Sequence, residues 1–166
     1  MVTVTTPVPG DFGVTKISGL SGKAIAAGQA LIGKPAPVQH ALLYVGNGKV
    51  IQAQPGGAEC IALKDANPVY RWSTGRVALT AYERILIVKA AYGLVGTPYS
   101  YADYLSIALA HWHIRPRVVR DYVSDTHHMI CSQLVDYAYL TAGVRLFPDN
   151  RIPGDVTPAD LWGLIR

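Results

Sequence analysis

Cysteine is scarce in this chain. Two residues in 166, Cys60 and Cys131, are too few for a disulfide framework, and in a reducing compartment both are expected to be free thiols. Long apolar runs are missing too: no stretch approaches the roughly 20 apolar residues that a membrane span needs. The opening residues, Met1-Val-Thr-Val-Thr-Thr-Pro-Val-Pro-Gly10, have neither the basic n-region nor the apolar h-region of a secretory signal. The expectation is a soluble chain made in the cytoplasm. The stacked aromatic and basic motifs of nucleic-acid modules are absent, which removes nucleic acid as an expected partner. There is no internal repeat and no low-complexity segment.

What is present suits a folded interior. Half of the residues are hydrophobic and 16% are charged, a balance far from that of a disordered chain. At 166 residues a single domain over 1–166 is expected. Fifteen Lys and Arg exceed eleven acids, for a formal net charge of +4. They are spread thinly, the one local cluster being Arg115, Arg117 and Arg120, a mild bias toward anionic partners such as cell walls or lipid headgroups.

Residues 1–11 are rich in Thr, Pro and Gly, and an extended lead-in ending at Pro9-Gly-Asp11 is expected there. Apolar residues at helical spacing over 20–32 predict a short helix, weakened by Gly22 and Gly28 and stopped by Gly33 and Pro35. The pattern then changes. Two β-rich runs, 39–45 and 49–54, flank Gly46-Asn-Gly48 and predict a hairpin. Residues 58–63 and 69–72, joined by a polar turn, extend it to an antiparallel sheet of about four to six strands. Helices are expected over 82–94 and 101–112, from Cys131 to a cap at Gly143, and from the Thr157-Pro158 start to Trp162. The fold class is α+β.

Cys131 falls in the first turn of an apolar-faced helix, whose N–H groups lack acceptors within the helix and whose dipole favours a thiolate. Taken alone, such a cysteine is more often a small core residue. His40 is the residue that changes this reading. An imidazole inside a strand, within reach of the thiol, can take its proton and later protonate a leaving group. A third side chain must orient that imidazole, and the next strand offers Gln52 and Gln54. A two-residue Asn47-Gly48 loop puts Gln52 on the wrong face. A three-residue Gly46-Asn-Gly48 loop pairs Leu42 with Gln52 and His40 with Gln54, and both glutamines share the face of His40. Register alone leaves the two open.

His40-Ala-Leu-Leu-Tyr-Val-Gly-Asn-Gly-Lys-Val-Ile-Gln52 resembles the strand-turn-strand of NlpC-type cell-wall cysteine peptidases, in which a polar third residue follows the catalytic histidine by twelve positions. Cys131-Ser-Gln-Leu-Val-Asp-Tyr-Ala-Tyr139 resembles their nucleophile helix, Gly96-Thr-Pro-Tyr-Ser-Tyr101 their Gly-x-Pro-Tyr segment, and Pro9-Gly-Asp11 their lead-in. His40 precedes Cys131, the reverse of the usual order, which matches the circularly permuted branch related to lecithin retinol acyltransferase. The ending Val156-Thr-Pro-Ala-Asp-Leu161 resembles that branch as well. Two positions depart from typical cell-wall members: the Asp before the cysteine is Ile130 and the Gly two after it is Gln133.

The resemblance implies a papain-like fold and a triad of Cys131, His40 and Gln52, with Gln52 preferred over Gln54 as the orienting residue. It makes Tyr99 a candidate for holding the oxyanion or the substrate. Tyr101, His128 and Gln54 are further substrate-binding candidates, and His127 and His128, just upstream of Cys131, are placed to line the cleft. The implied activity is amide hydrolysis through a thioacyl intermediate, with peptidoglycan stem peptides as the expected substrate. The alternatives are an acyltransferase or lipid and ester hydrolase using the same thiol, and a binding module that kept only the fold. No cofactor is expected: His111 with His113 and His127 with His128 are read as exposed loop histidines and not as a metal site. Lacking a signal, the chain would reach a cell wall through a phage particle or a non-Sec route.

Overall fold

A computed structural model describes residues 6–31, 33–98 and 130–166. The helix expected at 101–112, the arginine cluster, His111, His113, His127 and the candidate site residues Tyr99, Tyr101 and His128 lie outside the described residues. Five antiparallel strands make one sheet: β1 Phe12–Thr15, β2 His40–Gly46, β3 Lys49–Gln54, β4 Gly57–Ala62 and β5 Val69–Trp72, in the order β4-β3-β2-β1-β5. Among the described residues the helices are α1 Gly19–Leu31, α2 Ala81–Gly93, α3 Cys131–Thr141 and α4 Pro158–Ile165. The architecture is α+β with a five-stranded antiparallel sheet. Among the described residues no helix is long and apolar enough to cross a membrane.

The β2–β3 hairpin corrects the expected loop. Its turn is the two-residue Asn47-Gly48, with φ of 51° and 66°, the left-handed pair that matches the twist of the flanking strands. Gly46 pairs with Lys49, but the register then shifts and Tyr44 pairs with Val50 and Leu43 with Ile51. Val45 is the extra residue of a bulge. That one residue returns the strands to the register of a three-residue loop, so His40, Leu42, Gln52 and Gln54 share a face after all.

Strand β1 was not expected, because four residues interrupted by a glycine carry too little pattern. It lies between β2 and β5, pairing Phe12 with Leu43 and Thr15 with His40 on one side, and Gly13 with Trp72 on the other. A Cβ on Gly13 would sit 2.8 Å from the Trp72 ring, so glycine is what lets Trp72 lie across the sheet.

The core lies where α2 and α3 pack on each other and on β2, with α3 also against β3. Phe12, Val14, Leu43, Ile51, Ile87, Leu134 and Tyr139 are all fully buried there, each contributing about 1.5–3 kcal/mol. Both ends of α3 are secured. At its C-terminus Gly143 takes φ 81°, its N–H donates to Leu140 O at 2.9 Å and that of Val144 to Tyr139 O at 3.0 Å, which satisfies the last carbonyls. Thr157 caps α4, accepting from the Asp160 N–H at 3.2 Å while Asp160 accepts from the Thr157 N–H at 2.9 Å.

One buried group in α3 works against stability. Burial pushes the Asp136 carboxyl up to about 6, the charges of Arg151 and Arg145 offsetting only part of it. Since the ordinary value is 3.8, the folded chain holds a proton that the unfolded chain releases. Stability from this group is fully present below about 4 and is lost as pH rises through about 6. Asp136→Asn should therefore raise the unfolding free energy by about 1–3 kcal/mol at pH 8 and change it little at pH 4. Urea denaturation at the two pH values checks this; an equal effect at both would sink it.

Candidate active site

Cys131 is the first residue of α3, and the residues around it are tied down. Ile130 is extended, with φ −98° and ψ 168°, and its N–H donates to Gln133 Oε1 at 2.8 Å. Gln133 Nε2 reaches Gly154 O at 3.5 Å, and Ser132 Oγ donates to Val156 O at 2.7 Å. Gln133, one of the two departures noted in the sequence, thus accepts from the backbone N–H of the N-cap residue, the half of a capping box that an apolar Ile130 leaves possible. The thiol sits at the positive end of the helix dipole.

His40 opens β2 and is anchored through its neighbour. Gln39 N–H donates to Thr15 O at 3.0 Å and Gln39 Oε1 accepts from Ile17 N–H at 3.2 Å. The His40 Nε2 lies 2.9 Å from Gln52 Oε1, and the imidazole is also hydrogen-bonded to the Cys131 side chain. With Nε2 engaged by Gln52, Nδ1 is the nitrogen left for the sulfur. Of the two glutamines it is Gln52 that meets the ring; Gln54, half-buried at the end of β3, faces Gly57 of β4. Thr15, the cross-strand neighbour of His40, keeps a buried Oγ1 with no hydrogen-bond partner among the described residues.

Burial sets the electrostatics of this cluster. His40 is 4% exposed, and Cys131 and Gln52 are each 1% exposed. Burial acts to lower the His40 pKa, but the charge and hydrogen bond of Cys131, the hydrogen bond to Gln52 and the charge of Glu59 outweigh it, leaving the net value raised above 6.5. An imidazolium beside the sulfur is thereby favoured.

Glu59 is absent from the residues singled out in the sequence. It stands opposite Gln52 in the β3–β4 pairing and accepts from Gln52 Nε2 at 3.0 Å. Alternation over 57–62 does not distinguish it from any solvent-facing strand acid. The signal lies in register: a two-residue Pro55-Gly56 turn pairs Gln54 with Gly57 and hence Gln52 with Glu59. Cys60, its neighbour, is half-buried and packed against the core.

No family model, curated protein or solved structure matches the chain. The cluster itself sets a thiol, an imidazole and a carboxamide in one hydrogen-bonded line, an arrangement able to activate a thiol for acyl transfer. Among the described residues no three His, Cys, Asp or Glu side chains converge to hold a metal ion.

Proposed function

We propose that this protein is a cysteine-dependent amide hydrolase of the circularly permuted NlpC type, with a papain-like fold, acting on peptidoglycan stem peptides. The observation that carries this reading is His40, hydrogen-bonded on one side to Gln52 and on the other to the thiol that opens α3. The motif resemblance supplies the substrate class, and the net charge of +4 suits an anionic wall.

In the proposed reaction the Cys131 sulfur attacks the amide carbonyl carbon and a C–S bond forms. His40 holds the thiol proton and delivers it to the leaving nitrogen as the C–N bond breaks. The helix start stabilises the negative oxygen of the tetrahedral intermediate. Water then attacks the thioester carbon, His40 takes the water proton, and the C–S bond breaks to release the acid and restore the thiol.

The test is incubation with stem-peptide fragments of peptidoglycan, following new amino groups and the masses of the products. Wild type should cleave and Cys131→Ala should not. Equal cleavage by Cys131→Ala, or none by wild type, defeats the proposal. Cys131-dependent turnover of an acyl ester without peptide cleavage would replace the amide substrate with a lipid one.

A further inference from the structure

The hydrogen-bonded line does not end at Gln52. A carboxamide has one accepting end and one donating end, and nothing in its shape decides which way round it sits. Gln52 has one end against His40 Nε2, at 2.9 Å, and the other against Glu59 Oε1, at 3.0 Å. A carboxylate only accepts. The amide must therefore give its NH2 to Glu59, which turns Oε1 toward the imidazole. That oxygen can only accept, so Nε2 must carry the hydrogen. In the neutral ring Nδ1 is then the nitrogen with the lone pair, and it is the one left to face the thiol. Reversing the amide would reverse every step: Nε2 would accept, Nδ1 would carry a hydrogen, and the base would present the sulfur with an N–H instead of a lone pair.

We infer that Glu59 is a positioning residue that sets the amide orientation of Gln52 and, through it, the tautomer of His40. The inference rests on the catalytic reading for its consequence, though not for its geometry. Glu59 touches neither thiol nor imidazole in this scheme; its charge reaches His40 through space, and its hold on the tautomer acts through Gln52. Its place at the exposed end of the line means that a substitution there leaves the buried residues in place. Holding a base in the wrong tautomer costs on the order of 10⁴ in the serine-protease triad, so the orientation of one amide has a large effect on rate.

The experiment reads the tautomer directly. Two-bond ¹H–¹⁵N correlation spectra of the full chain, at a pH where His40 is neutral, should show the Nε2–H form in wild type. Glu59→Gln, which loses the charge but keeps an oxygen able to accept from Gln52, should retain it. Glu59→Lys offers only donors and should convert His40 to the Nδ1–H form. Glu59→Ala, the fallback should the lysine variant not fold, should populate both. In the hydrolysis assay Glu59→Lys should lower kcat by about 10²-fold, the low end of what a general base supplies, with KM unchanged. The Nε2–H form persisting alone in both Glu59→Lys and Glu59→Ala overturns the inference. The catalytic reading fails separately, if wild-type hydrolysis does not depend on Cys131, and the spectra still decide the role of Glu59.

Discussion

Replacing His40 by Ala is expected to lower Cys131-dependent hydrolysis by about 10²–10⁴-fold, the range of general acid–base catalysis, while lowering alkylation of Cys131 at pH 6 by only about 10-fold. The two numbers differ for a reason. An unpaired thiol with an ordinary pKa of about 8.5 is roughly 0.3% ionised at pH 6, about 300-fold short of a thiolate held by an imidazolium. A stabilised thiolate is also a weaker nucleophile, losing about 0.4–0.5 log units of rate per unit of pKa. Between one and two logs therefore return, and on the order of 10-fold remains. Alkylation needs no proton for its leaving group, whereas amide cleavage does, so hydrolysis loses the acid as well as the thiolate.

The measurement is iodoacetamide modification against pH, with Cys60→Ser throughout so that Cys131 is the only thiol. Because Cys131 is 1% exposed, the ratio of variant to wild type and the midpoint carry the result, and the absolute rate does not. In the alanine variant the midpoint should rise toward 8.5. The raised His40 pKa places the alkaline limb of the hydrolysis profile above 6.5, since activity is lost as the imidazolium deprotonates. Alkylation that ignores His40, with an unchanged midpoint, removes the chemical basis of the proposed hydrolase.

Parts of this arrangement were legible because local pattern and tertiary demand agree. The apolar spacing after Cys131, ending at a left-handed Gly143, marks α3 at both ends. The β-rich runs on either side of Gly46-Asn-Gly48 mark the hairpin that carries His40 and Gln52. What escaped depends on pairing between segments. Strand β1 has two apolar residues, Phe12 and Val14, and is made a strand by the neighbours on either side of it. The bulge at Val45 changes the register by one residue without altering composition. Glu59 is a charged residue on an outer strand, and only its position opposite Gln52 gives it a role.

A large loss of stability away from the cluster is expected from Arg84→Ala, about 3–5 kcal/mol. Arg84 Nη1 donates to Asp11 Oδ1 at 2.8 Å and to Pro9 O at 3.1 Å. The Asp11 side chain is 1% exposed and that of Arg84 22%. Removing the arginine leaves a buried carboxylate without its countercharge, the costly way to break a buried pair. Thr74 Oγ1 at 2.7 Å and the Val8 N–H at 3.0 Å still donate to Asp11 Oδ2, which favours the low end of the range. Asp11→Ala should cost less, because the orphaned arginine can turn to water, and the double variant should cost less than the sum of the two. The same corner joins the elements that carry the site: Gly10 N–H donates to Tyr44 O of β2 at 2.9 Å, and Tyr139 of α3 donates to Gly10 O at 2.6 Å. Urea denaturation of the three variants decides the matter. A cost below about 1 kcal/mol for Arg84→Ala would put the pair in the class of exposed bridges, leaving the backbone bonds of Gly10 to hold β2 and α3 in register.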